Sequence, residues 1–100
     1  MAEFDINGID EVIHGRLRLG VMAILAAAGA ADFNTLKSRL EATDGNLSVH
    51  LRKLEEAGYV DVTKTHQGRT PTTLIRLSRR GRVAFDDYTL AVRALLDGHA

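Results

Sequence analysis

The sequence predicts a mainly α fold with a small β-hairpin (α+β), built as one domain of 100 residues. Three observations predict it. Apolar residues recur at helical spacing in successive segments along the chain. Late in the chain the spacing changes to a period of two on either side of a break containing Gly and Pro. The length suits one domain with a modest core, and no repeat, low-complexity tract or linker divides it.

Residues 1–8 read as loosely ordered. A first helix runs from about Asp10 or Gly15 to Ala28 and is closed by Gly29. Its apolar positions include Val12, Ile13, Leu17, Val21, Ile24 and Leu25, while Gly15 and Gly20 argue against one straight rod. A second helix spans about Asn34 to Glu41, with Asp32 or Asn34 as its N-cap. Leu36 and Leu40 share one face there, with Phe33 beside them. A third helix starts after Ala42, capped by Thr43 or Asp44. Its Leu47, Leu51 and Leu54 repeat at i, i+4, i+7, and Gly58 is a natural residue to end it. The short turn between the second and third helices suits a helix-turn-helix.

Val60 and Val62 then alternate with Asp61 and Thr63. Gln67, Gly68, Arg69, Thr70 and Pro71 form the break. Beyond it Thr73, Ile75 and Leu77 share one face, and Leu74 and Arg76 the other. Ser78 is placed to cap a final helix, about Arg79 to Leu96, which carries Val83, Ala84, Phe85, Tyr88, Ala91, Val92, Leu95 and Leu96.

Formal net charge is zero, which argues mildly against nucleic acid as a partner, but the charge is unevenly placed. Residues 1–15 hold Glu3, Asp5, Asp10 and Glu11 with no Lys or Arg. Residues 48–82 hold eight bases (Arg52, Lys53, Lys64, Arg69, Arg76, Arg79, Arg80, Arg82) against Glu55, Glu56 and Asp61. A partner meets this basic stretch rather than the total. Without cysteine there are no disulfides and no thiolate metal sites. The most apolar run, Leu17 to Ala28, is interrupted by Arg18 and Gly20 and is too short to span a bilayer. With no signal peptide evident, the expectation is a soluble cytoplasmic protein without a membrane partner.

On a helical wheel the three leucines of the third helix define its inner side. Gly45, Val49, Arg52, Lys53 and Glu56 point roughly the other way, with Asn46 and Ser48 on the flanks. The outward side is small, polar or basic near its N-terminal end and turns acidic only after Lys53. A helix inserted end-first into a DNA major groove needs that gradient. The same pattern also describes an ordinary solvated face.

The stretches "DGNLSVHLRKLEEAGYV" and "GRTPTTLIRLSRRGRVAF" resemble the winged helix-turn-helix transcriptional regulators of the MarR/ArsR type, above all their short single-domain members. The motifs that carry the likeness are "RLGVMAIL" (Arg18–Leu25), then Phe33, Leu36 and Leu40. Next come Ser48, His50, Leu51, Leu54, Gly58, Tyr59 and Val60, and last Thr73, Leu77, Ser78 and Gly81. The likeness covers roughly residues 16–88. It departs at Arg79 and Arg80, where similar proteins often carry acids that suit a helix N-terminus.

The resemblance implies a DNA-binding core over 16–78 and a dimerisation helix over 79–97. The third helix becomes the recognition helix. Asn46 and Ser48 are then placed for base edges or phosphates, Val49 for a thymine methyl, and Arg52 and Lys53 for phosphates. His50 lies at the margin of that face, between packing locally and touching phosphate. Arg69 at the loop tip is placed for the minor groove, with Lys64 and Arg76 adding phosphate contacts along the hairpin. Val83, Tyr88, Ala91, Val92 and Leu95, with the first helix, are the expected interface of a homodimer that presents two recognition helices to double-stranded DNA. Relatives of this type often bind a small-molecule effector. Met22, Phe85 and Tyr88 are the residues available for one, although they read equally as core.

The scattered histidines His14, His50, His66 and His99, with Asp86, Asp87 and Asp97, lack the spacing of a metal site, so no metal or cofactor is expected. No catalytic constellation is visible, so an enzyme is not expected. The function expected is a sequence-specific DNA-binding regulator acting as a homodimeric repressor. The alternative is a winged-helix protein-interaction module that does not bind DNA. The operator, the regulated genes and the sign of regulation are not written in these residues.

Overall fold

The chain builds three helices, a hairpin and a long final helix around one set of buried aliphatic side chains. A computed structural model describes residues 4–98. In chain order these form a 3-10 turn (Ile6–Gly8), α1 (Arg16–Ala28), β1 (Ala30–Asp32), α2 (Phe33–Leu40), α3 (Asp44–Glu56), β2 (Val60–Gln67), β3 (Thr70–Leu77) and α4 (Arg79–Leu96). Among the described residues no helix is long and apolar enough to cross a membrane.

Short polar side chains set the helix starts. Asp32 accepts the Thr35 amide at α2, Thr43 the Asn46 amide at α3, and Ser78 the Gly81 amide at α4. In each case the cap satisfies a donor that the first turn leaves unpaired. At the other end of α3, the Gly58 amide donates to Glu55 O and the Tyr59 amide to Leu54 O, with Gly58 at φ 81°. That pairing closes the helix and turns the chain into β2. α2 ends the same way: Ala42 donates to Lys37 O and Glu41 to Ser38 O. There the left-handed position is held by Glu41, at φ 52°.

The sheet has three antiparallel strands in the order β1-β3-β2. β1 was not expected. Its three residues, Ala30 to Asp32, pair with Arg76, Ile75 and Leu74 and cover the far edge of β3. The hairpin is also longer than the turn residues suggested. Gln67 pairs with Thr70, so only Gly68 and Arg69 form the turn, with Gly68 at φ 65°. Glycine at the first central position is what a tight II′ hairpin turn requires. Pro71 therefore lies inside β3, opposite His66. Alternation along the ladder makes that pair the non-hydrogen-bonded kind, and β1 does not reach so far, so the missing N–H costs no sheet bond.

Ile13, Val21, Met22, Leu25, Leu36, Leu47, Leu51, Leu54, Val60, Ile75 and Tyr88 form the core. Gly20 does not break α1, which is continuous; its bare Cα lies against Leu40 of α2. Residues 4–8 are more ordered than expected, since Asp5 caps the 3-10 turn. Of the positions expected at the α4 interface, Tyr88 is internal instead, at 5% exposure, and bonds His14 Nδ1 through its hydroxyl at 2.8 Å. Met22 is likewise fully buried.

Candidate nucleic-acid interface

The turn between α2 and α3 is three residues long, Glu41 to Thr43. Two features fix it: the left-handed Glu41 and the Thr43 cap. A surface ion pair, Lys37 Nζ to Asp44 Oδ1 at 2.8 Å, joins the two helices across it. Both partners are substantially exposed, so the pair adds little stability. It does neutralise the carboxylate at the start of α3.

α3 buries Leu47, Leu51 and Leu54 and leaves Asn46, Ser48, Val49, Arg52 and Lys53 exposed. Five of the expected contact residues therefore share the solvent side of one helix. Val49 is 52% exposed, unusual for a valine beside a well-formed core. Gly45, at the N-terminal end, has open space where a Cβ would stand.

His50 does not join them. It is turned toward α1, where its Nδ1 accepts from Arg18 Nη1 at 2.8 Å. Arg18 also donates to the carbonyls of Val12 and Glu11. A guanidinium only donates, so His50 is neutral with its proton on Nε2. Burial first, then the charges of Arg18 and Lys53, hold its pKa below the usual histidine value. Arg18 anchors α3 to α1 and to the segment before it. No feature of the sequence assigns Arg18 this role, since its partner His50 is distant in the chain.

The hairpin divides its basic residues. Lys64 pairs with Thr73 and Arg76 with Asp61, and successive side chains of a strand alternate between faces. Lys64 and Arg76, both expected to add phosphate contacts along the hairpin, thus lie on opposite faces of it. Lys64 shares its face with Val60, Val62 and Ile75. Arg76 sits on the other, across from a carboxylate. Arg69 occupies the tip and is exposed.

Tyr59, just after α3, donates to the Asp10 carboxylate, which also accepts the amides of Val12 and Ile13. Burial, then that bond, pushes the Tyr59 hydroxyl up to about 12. Tyr59 and Asp10 edge a hollow of about 770 Å³ that also takes in Arg79, Arg80, Val83, Ala84, Asp87 and Tyr88. Arg80 lies across Gly58, at the corner where α3 passes into β2. Among the described residues, no three His, Asp or Glu side chains converge as metal ligands would. His99 lies outside the described residues.

Along α4, Val83, Leu90 and Leu96 are 55%, 64% and 81% exposed, and Ala91, Val92 and Leu95 are half-buried. α4 packs on α1 and on the 3-10 turn, and these apolar side chains are left without full cover. On a helical wheel Val83 and Leu90 fall on one side, and Ala91, Val92 and Leu95 nearer the core side.

Comparison with known proteins places this geometry. The family described as winged helix DNA-binding domain matches residues 17–96. An uncharacterized protein of Methanocaldococcus jannaschii is 36% identical over 85 residues, which is 85% of this chain and 92% of the relative. A transcriptional regulator homologue from Pyrococcus horikoshii OT3 superposes with a TM-score of 0.84 at 29% identity, covering 89% of this chain and 88% of that one. NadR in complex with 4-hydroxyphenylacetate shares the fold, with a TM-score of 0.72 at 21% identity, over 91% of this chain and 64% of that one.

Proposed function

The chain belongs to the family of winged helix DNA-binding domains, and on that premise we propose a homodimeric, sequence-specific transcriptional repressor. α3 enters the major groove and the hairpin tip reaches the minor groove. The observation that carries this reading is the solvent side of α3. Asn46, Ser48, Val49, Arg52 and Lys53 stand there together, and among the described residues no side-chain hydrogen bond or ion pair engages them. Asparagine and serine bond base edges, a valine packs on a thymine methyl, and Arg and Lys meet phosphates. His50 is left out of this set, because Arg18 already occupies it. Arg69 supplies the minor-groove contact. Lys64 supplies a phosphate contact, and Arg76, on the other face, does not.

The open apolar surface of α4 supports the dimer, with Val83, Ala91, Val92 and Leu95 joined by Leu90 and with Tyr88 supporting them from inside. The hollow edged by Tyr59, Arg79 and Arg80 is the place for an effector, since it lies where α4 meets the end of α3. Such a ligand acts only by favouring one of two arrangements of these elements.

Fluorescence anisotropy tests the reading, with a random duplex and the protein's own upstream DNA at low and physiological salt. Tighter, salt-sensitive binding to the upstream fragment is expected. Absence of binding at low salt would instead favour the protein-interaction module.

A further inference from the structure

The inner face of the hairpin changes character along its length. Close to the helices it carries Val60, Val62, Ile75 and Leu77. Farther out, on the same face, come Lys64, His66, Pro71 and Thr73. Phe33 and Asn34 of α2 stand opposite, and the space between is a hollow of about 440 Å³ that Thr65 and Thr72 also line. Its lining holds the Lys64 ammonium, the His66 imidazole, the Thr73 hydroxyl and the Asn34 amide, and no carboxylate. Four other surface hollows each include one or two carboxylates: Asp10 and Asp87, Glu11 and Glu56, Glu41, and Asp97. In each of those the carboxylates are matched by as many Lys or Arg side chains, whereas here Lys64 stands with no carboxylate against it.

We propose that this hollow seats a backbone phosphate of bound DNA, and that His66 makes the contact proton-dependent. The inference rests on the DNA-binding reading above. A duplex held by α3 and by Arg69 at the hairpin tip has a phosphodiester strand passing between them, along the hairpin. Lys64 supplies a fixed charge there, and the Thr73 hydroxyl and Asn34 supply neutral donors. His66 offers one N–H donor when neutral, and two with a positive charge when protonated. The charged groups around it are few. Lys64 shares its strand face and Arg69 sits at the turn; β3 presents only Pro71 and Thr73, and α2 only Phe33 and Asn34. The Asp32 carboxylate beside α2 is already taken by the Thr35 amide.

The test is duplex affinity by anisotropy at pH 5.5 and 8.0 and fixed ionic strength, for the wild-type chain, His66→Gln and His66→Lys. Wild type is expected to tighten about fivefold at the lower pH, the scale of one added phosphate contact. His66→Gln should lose that gain. His66→Lys should bind tightly at both pH values, with a salt slope steeper by about one. A full pH response in His66→Gln, or no tightening at pH 8.0 in His66→Lys over His66→Gln, overturns the seat. Failure of the wild-type chain to bind any duplex at low salt is a different result and sinks the DNA reading itself. Inorganic phosphate titrated against the His66 ring resonances then decides what is left. Movement assigns the hollow to free phosphate instead of DNA, and no movement removes the site.

Discussion

Gly81 shows how much one hydrogen atom decides. A Cβ there would stand 2.1 Å from the backbone oxygen of Tyr59, which cannot swing away as a side chain would. Gly81→Ala is expected to cost roughly 2–3 kcal/mol or more, the range for forced overpacking, and to lower the melting temperature by about 10 °C or more. Glu41 is the opposite case. It occupies a left-handed position that costs a side-chain-bearing residue about 1 kcal/mol, so Glu41→Gly should raise the melting temperature by a few degrees. His50 carries a pH dependence whose sign follows from its neighbours. Its folded pKa is lowered, so as pH falls the unfolded chain takes up that proton first. The His50 contribution to stability is therefore complete above the unfolded value of about 6.5. It declines as pH drops from there through the folded value. Urea titrations at a series of pH values should show this decline in the wild-type chain and a weaker one in His50→Gln, where the amide oxygen still accepts from Arg18.

At the scale of elements, what the sequence disclosed follows a physical line. Elements with their own period and caps were legible: α2, α3 and α4 start at Asp32, Thr43 and Ser78, each anticipated as a cap, and the leucine stripe of α3 is buried throughout. β1 was not legible, because alanine and aspartate have little intrinsic preference for a strand. It exists because β3 offers an edge, which only the folded chain supplies. The face of Arg76 and the partner of His50 were hidden for a similar reason. Strand register and the reach of Arg18 are tertiary facts, and so is the face of His66, which the sequence reading left among scattered histidines. Ser78 joins two elements at once, since its oxygen accepts from Gly81 and donates to Gly58 O at 2.6 Å. Ser78→Ala should cost about 1–2 kcal/mol, measurable by thermal unfolding. Arg69→Ala belongs to the hairpin as an element. It should weaken duplex binding and reduce the salt slope by about one, leaving the sedimentation coefficient unchanged. Unchanged affinity would take the hairpin tip out of the mechanism.

At the scale of the molecule, shape and charge both point away from a solitary chain. The structure measures 56 × 25 × 21 Å, and its radius of gyration of 14.9 Å exceeds the roughly 13 Å of a compact domain of this length. A single copy with zero net charge presents one recognition helix, and its long-range attraction to DNA is weak. In the proposed dimer, two copies joined through α4 would present two such helices, and the second contact would become intramolecular, gaining about 10²- to 10⁴-fold in avidity. Leu90 is the residue on which to break that arrangement, because it is 64% exposed and its loss removes nothing from the core. Leu90→Asp places a charge in the joint and should convert a sedimenting dimer to a folded monomer. Affinity for a two-half-site duplex should then fall toward that for a single half-site, while single half-site affinity stays the same. A variant that remains dimeric would move the interface off this side of α4. A monomeric variant with undiminished two-site affinity would show that each chain binds its half-site alone.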